Sequence, residues 1–222
     1  EFPAFVECVE RIADEFREIL DTIEGHSPYA PITVGVLNCW GELRSWQGYI
    51  AAHGMTYKQT YSYLGVLEAL SGMAVNVRFI RFSDIVENGI PEDIDVIINA
   101  GDAGTAFSGG ACWNNEALLE KLRMWVWQGG GFIGVGEPSA YPYQGRYFQL
   151  SDVLGVDQER GFTVNEDKYH TEVTESHFIT KDVMEPLNFG ECKNNVYAAA
   201  EDCEILEHSN GEVHLSAHVY GA

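Results

Sequence analysis

Asn115-Glu-Ala-Leu-Leu-Glu-Lys-Leu-Arg-Met-Trp-Val-Trp-Gln-Gly-Gly-Gly-Phe-Ile-Gly-Val-Gly-Glu-Pro-Ser139 is the stretch on which the fold turns. Leu118, Leu119, Leu122, Trp125 and Val126 recur at three- and four-residue steps, the period of a helix with one apolar face. Asn115 stands where an N-cap belongs, and Gly129-Gly130-Gly131 stops the helix. Phe132 to Val135 then reads as a short buried strand ending in a Gly-rich turn. The same rhythm runs upstream. Ile32 to Leu37, bounded by Pro31 and Asn38, reads as a parallel strand. Thr56 and Gln59 have capping-box spacing and open a helix to about Leu70, stopped by Gly72. Val75, Val77, Phe79 and Ile80 mark a second strand, and Ile94 to Ile98 a third. Strands alternating with helices at this spacing predict an α/β fold, a parallel sheet joined by right-handed crossovers.

Both ends of the chain differ from this middle. Phe5, Val9, Ile12, Phe16, Ile19 and Ile23 line one face of a first helix that Gly25 and Pro28 end. Residues 1–28 are therefore expected to form a linker helix whose stripe needs a partner, and residues 29–222 the α/β domain. After residue 150 turn residues become dense and apolar runs short: Val196 to Ala200, Glu204 to His208, Val213 to Tyr220. Asn210-Gly211 between two of them signals a hairpin. The tail 151–222 is expected to be β-rich, either an antiparallel extension of the sheet or a small β subdomain. The chain opens on Glu1 without Met and stops just after a strand, so both ends are expected to be cut from something longer.

The 222 residues carry 13 Lys and Arg against 34 Asp and Glu, a net charge of −21. So acidic a surface repels phosphate backbones and anionic lipid, which argues against nucleic-acid and membrane-surface roles. No apolar run approaches the roughly 18 residues that span a bilayer. Residues 151–222, a third of the chain, hold 15 acids and 4 bases and so half the net charge. Cysteines at 8, 39, 112, 192 and 203 are odd in number, wide apart and without a CxxC pair. That speaks for a reducing compartment rather than a disulfide framework.

Ligands of open parallel sheets bind past the carboxyl ends of the strands. Three loops leave there: Asn38 to Arg44, Asn99 to Thr105 and Gly134 to Ala140. They read equally as a site or as tight turns. The third has the layout of a nucleophile elbow. Its apex, however, is Glu137, a poor acyl nucleophile, and Pro138 has no N–H for an oxyanion hole. The elbow is thus either chemically disarmed or a plain Gly-rich turn. Cys39 and Cys112 keep a second reading open, a stand-alone amidotransferase-like or thiol hydrolase. The letters GxGxxG fall only at Gly129 to Gly134, which leads into a strand instead of opening a helix after one, and GxxxxGK[ST] is absent, so nucleotide cradles fail, and no cofactor is expected. His214 and His218, on one face of a predicted strand, lie about 13 Å apart, too far to share a metal ion. Trp125 and Trp127 read as core. The loop aromatics and arginines Trp40, Arg44, Trp46, Tyr141, Tyr143 and Arg146 suit sugar stacking or an interface.

Three motifs carry a resemblance. Asn38-Cys-Trp-Gly-Glu-Leu-Arg-Ser-Trp46, Asn99-Ala-Gly-Asp-Ala-Gly-Thr-Ala-Phe-Ser-Gly109 and Gly134-Val-Gly-Glu-Pro-Ser-Ala-Tyr141 resemble the central region of lacto-N-biose/galacto-N-biose phosphorylases. The resemblance covers nearly the whole chain. It implies a central domain resembling flavodoxin and class I glutamine amidotransferases, with helices on both faces of the sheet and an antiparallel C-terminal extension. It implies a cytoplasmic parent with an N-terminal barrel, and a homodimer. That parent would split galactosyl-β-1,3-N-acetylhexosamine with phosphate, giving α-galactose 1-phosphate and GlcNAc or GalNAc. In such inverting chemistry an acid protonates the leaving oxygen while the nucleophile, here phosphate, enters from the opposite face. The family's acid lies on the barrel, and no position of this chain matches it. The chain is thus expected to be non-catalytic, serving packing, dimerisation and one wall of the cleft. The residues that would face substrate are Trp40, Arg44, Asn99, Asp102, Glu137 and Tyr141.

Overall fold

The computed structural model describes residues 3–24, 30–39, 61–141, 145–160, 172–189, 195–209 and 212–221. The chain divides into two units, residues 1–30 and 31–222. The first holds one helix, α1 (Pro3–Ile23). Its apolar stripe is strongly one-sided, and Phe5, Val9, Ile12, Phe16, Ile19 and Ile23 are all exposed.

The second unit is built on a four-stranded parallel sheet. Its strands are β1 (Thr33–Asn38), β2 (Asn76–Arg81), β3 (Val96–Gly101) and β4 (Gly131–Gly136), in the order β2-β1-β3-β4. In register, Val34 and Val36 of β1 stand beside Val77 and Phe79 of β2, and Asn99 of β3 beside Gly134 of β4. β1 is buried along its whole length, as a central parallel strand must be. Helix α2 (Tyr61–Ser71) supplies Tyr63 and Leu70 to a cluster with Val34, Val36, Ile98 and Phe107 on one face. Helices α3 (Phe82–Asn88) and α4 (Glu116–Trp127) supply Phe82, Ile85, Leu118 and Leu122 to a cluster with Leu37, Ile80, Ile97 and Trp113 on the other.

The expected strand–helix rhythm is present. Asn115 caps α4 through its side chain, which accepts from the N–H groups of Ala117 and Leu118. The capping box at Thr56 and Gln59 lies outside the described residues. The third strand begins at Val96 rather than Ile94, because Ile94 N donates back to Pro91 O in a turn. Helix α3 carries no signal in the sequence: it is seven residues long and its N-cap, Arg81, makes no side-chain capping bond. Trp127 corrects the expectation that both helix tryptophans are core. It is 53% exposed, with its ring edge-on to Tyr220, while Trp125 packs partly buried against the core.

The tail is antiparallel as expected. After the one-turn helix α5 (Ser151–Leu154), β5 (Val156–Gln158) pairs with β6 (Val196–Ala198), and β7 (Glu204–Ser209) with β8 (Glu212–Ala217). These form two separate two-stranded sheets and do not lengthen the parallel sheet. Their apolar residues join Ala140 and Phe148 in a third cluster. Asn210 and Gly211 lie outside the described residues. β8 ends at Ala217, so His214 and His218 do not share a strand. Instead the His218 ring sits between the Val153 carbonyl at 3.0 Å and the Asp202 carboxylate at 3.1 Å.

Candidate functional site

The carboxyl ends of β3 and β4 are tied together by a dense set of hydrogen bonds. Gly101 ends β3 at φ 123°, and an added Cβ there would lie 2.9 Å from that of Phe107. Only glycine fits that backbone and that approach. The Asp102 carbonyl accepts from the hydroxyls of both Thr105 and Ser108, folding the loop back on itself. From β4, the Glu137 N–H donates to Gly101 O at 3.0 Å. The Glu137 carboxylate then accepts from Ala103 N–H at 2.8 Å through Oε2, and from the Tyr147 hydroxyl at 2.9 Å through Oε1.

Asn99 is the second tie. It is wholly buried, its Oδ1 accepts from Ser139 N–H at 2.9 Å, and its Nδ2 donates to Ser108 O at 3.1 Å. Ser139 is buried at φ 54°, a left-handed conformation rare for a residue with a side chain. Its Oγ accepts from Leu150 N–H and its carbonyl from Gln149 N–H. The strained residue of this turn is therefore Ser139, two places beyond Glu137. The described residues 137–141 form no helix, and Ala140 enters a bridge to Phe148. A nucleophile elbow needs strand, strained nucleophile and helix in succession. The observed turn lacks the last two at Glu137, which favours the plain-turn reading.

The other candidates distribute as follows. Trp40, Arg44, Trp46 and Tyr143 lie outside the described residues. Asn99 and Glu137, at 0% and 6% exposure, are engaged inside the loops. Asp102 and Tyr141 are half-buried at the edge, and Arg146 is exposed. Cys39 is buried, and its thiol donates to Ala106 O at 3.0 Å. Cys112 lies in a 3₁₀ turn, Gly110–Asn114, partly buried against the core. Among the described residues no three His, Cys, Asp or Glu side chains group to hold a metal ion.

Two groups at this edge escaped the sequence. Tyr147 stands over Glu137, and the Arg160 guanidinium lies 5.2 Å from its ring centre. Burial, then the Glu137 charge and hydrogen bond, push the Tyr147 phenol well above its ordinary range. Nothing in local sequence links positions 137, 147 and 160, because the chain returns to the strand ends only after folding.

The family model described as the lacto-N-biose phosphorylase central domain matches residues 33–222. The chain belongs to the lacto-N-biose phosphorylase family, as its central domain. Among curated relatives, a 1,3-beta-galactosyl-N-acetylhexosamine phosphorylase of Lachnoclostridium phytofermentans is 50% identical over all of this chain and 30% of its own length. One of Bifidobacterium longum subsp. longum is 45% identical over 99% of this chain and 34% of its own length. A D-galactosyl-beta-1->4-L-rhamnose phosphorylase of L. phytofermentans is 35% identical over the whole chain and 30% of its own length. The chain therefore spans about a third of the length of these relatives.

Proposed function

We propose that this central domain serves an inverting phosphorylase that splits galactosyl-β-1,3-N-acetylhexosamine with phosphate into α-galactose 1-phosphate and GlcNAc or GalNAc. The observation that carries this reading is identity of 45–50% to two enzymes named for that substrate, against 35% to one named for a galactosyl-rhamnose. The sheet, with helices on both faces, supports a flavodoxin-like or amidotransferase-like layering, and the turn after β4 offers no nucleophile. We assign residues 1–28 to a linker helix and 29–222 to this domain, in a cytoplasmic homodimer.

The domain is non-catalytic. Its strand-end carboxylate Glu137 is enclosed and doubly bonded, so it cannot protonate a leaving sugar oxygen without dismantling the loop. The acid would come from a barrel in the flanking polypeptide, and the strand-end loops would form one wall of its cleft. A net charge of −21 fits sugar hydroxyls better than phosphate at that wall. The test is to exchange Asp102 and Tyr141 for Ala, singly, in the complete phosphorylase. A raised KM for the disaccharide supports the wall, and unchanged kinetics reduce these loops to structure.

A further inference from the structure

We propose that helix α1, the linker helix, is built into the domain that precedes this one in the phosphorylase polypeptide, its apolar stripe seated in that domain's core. The proposal rests on the chain's being a central domain and not on the sugar its parent splits. Three boundaries fall close together. α1 ends at Ile23. The two compact units part between Ala30 and Pro31. The family model of the central domain begins only at residue 33. The helix thus stands ahead of the central domain both by its contacts and by family. It is nonetheless part of the enzymes: two phosphorylases of L. phytofermentans match this chain over its whole length, residues 1–32 included. A central domain has polypeptide on either side, and this chain is only 30% of each of those relatives.

The stripe itself says what kind of surface covers it. Phe5, Val9, Ile12, Phe16, Ile19 and Ile23 follow steps of four, three, four, three and four residues, a seam that two helices could share. One flank widens that seam. Val6, Ala13 and Leu20 run beside it at seven-residue steps, and Val6 and Leu20 are 52% and 58% exposed. The other flank holds Cys8, Glu15 and Thr22. A two-stranded coil sets its partner by charges paired across these flanks, and Glu15 is the one charge in them. A seam with an apolar flank is instead the broad stripe of a helix laid on a globular core. The remaining face belongs to water: Glu7, Glu10, Asp14, Glu18 and Asp21 are exposed, Arg17 pairs with Asp14, and Arg11 with Glu15 at 3.9 Å. The sheet of the central domain already carries α2 on one face and α3 and α4 on the other, so it does not call for this helix. A helix of this kind owes most of its stability to what its apolar face packs on, and the preceding domain is what remains.

The experiment is amide hydrogen exchange, read by mass spectrometry, on the complete phosphorylase as wild type, Phe16→Ala, Ile12→Ala and Asp21→Ala, with the mass in solution measured beside it by light scattering. In wild type the amides of Val9 to Leu20 should exchange on the order of a thousandfold more slowly than unstructured peptide. Phe16→Ala, a large-to-small change inside a core, should quicken exchange about tenfold or more in peptides of the preceding domain and leave those of β1, β3 and β4 unchanged. Ile12→Ala should act in the same direction, and it carries the test if Phe16→Ala does not fold. Asp21→Ala, on the wet face, should change nothing, and the mass in solution should stay the same in every variant. Rapid exchange along α1 in wild type would mean a solvated helix. Quickening confined to the central domain would seat the stripe on this chain itself. A mass halved by Phe16→Ala or Ile12→Ala would make a second copy the occupant. No quickening in either variant would leave the stripe without a partner. Each of these four results overturns the proposal. Whether the enzyme splits lacto-N-biose enters none of these readouts, so the assigned substrate and this proposal fail separately.

Discussion

The side-chain amide of Asn99 on β3 joins the backbone of Ser139 after β4, accepting its N–H at 2.9 Å across 40 residues of sequence. The same amide donates to Ser108 O, so one buried side chain serves two buried chain segments. Asn99→Ala leaves a buried N–H without its acceptor and withdraws one of the donors at Ser108 O. A loss of about 2–4 kcal/mol is expected, read as a lower urea midpoint at unchanged slope. Asn99→Asp keeps the acceptor for Ser139 but faces the Ser108 carbonyl with a charge, so it should be no better tolerated. A loss near zero for Asn99→Ala would show that the turn is held elsewhere.

Arg123 grips Asp152 through two nitrogens, at 2.7 and 3.0 Å, and also donates to Gln149 O. Burial raises the Asp152 carboxyl, but the Arg123 hydrogen bonds and charge outweigh it and hold it below 3.8. A carboxyl lowered in the folded state adds stability that is complete above its unfolded value and is lost as pH falls through the folded one. The Asp152→Asn variant should therefore differ from wild type at pH 7, and the gap should begin to close as pH falls below the ordinary aspartate value of about 3.9. Both side chains stay about a third exposed, so solvent screening limits the difference to about 1 kcal/mol. Thermal melts of the two proteins from pH 7 to pH 2.5 check this, and a gap as wide at the acid end as at pH 7 refutes it.

At the alkaline end the sign reverses. Burial, then the neighbouring Cys39, pushes the Tyr63 phenol from 10.0 up to about 12, and burial pushes the Cys203 thiol from 9.0 up to about 11. Groups raised in the folded state contribute stability that is complete below their unfolded values and lost as pH rises through the folded ones. Stability should thus decline from about pH 9 upward, and Tyr63→Phe should flatten the part of that decline above pH 10. An equally steep fall in the variant would assign the loss to other groups.

Thiol reactivity tests the hydrolase alternative. Cys8 is exposed, whereas Cys39 and Cys203 are buried, and Cys39 donates to a carbonyl. Iodoacetamide near neutral pH should label Cys8 ahead of the other described cysteines and leave Cys39 and Cys203 until the chain unfolds, as read by peptide mass spectrometry. Labelling of Cys39 or Cys112 faster than Cys8 would revive a catalytic thiol.

The sheet was legible because β1, β3 and β4 are apolar runs with glycine and proline punctuation, and α4 states its own start at Asn115. α3 was not, since it owes its place to burying Phe82 and Ile85 rather than to a cap. The separate tail sheets were half legible: the pairing of β7 with β8 is the hairpin that Asn210-Gly211 signals, whereas that of β5 with β6 is a long-range choice that strand patterns leave open. At the candidate site, sequence marked the loops but not their division of labour. Asn99 and Glu137 look like ligand groups in a string of residues. Only the folded chain shows their oxygens spent on Ser139, Ala103 and Tyr147, and brings Tyr147 and Arg160 to the same edge.

A braced, non-catalytic domain of a phosphorylase should carry out no phosphorolysis by itself. The most direct measurement incubates the 222-residue chain alone with lacto-N-biose and phosphate, beside the complete phosphorylase, and follows galactose 1-phosphate. Product is expected from the complete enzyme and none above background from the chain. Steady formation of α-galactose 1-phosphate by the isolated chain would contradict it.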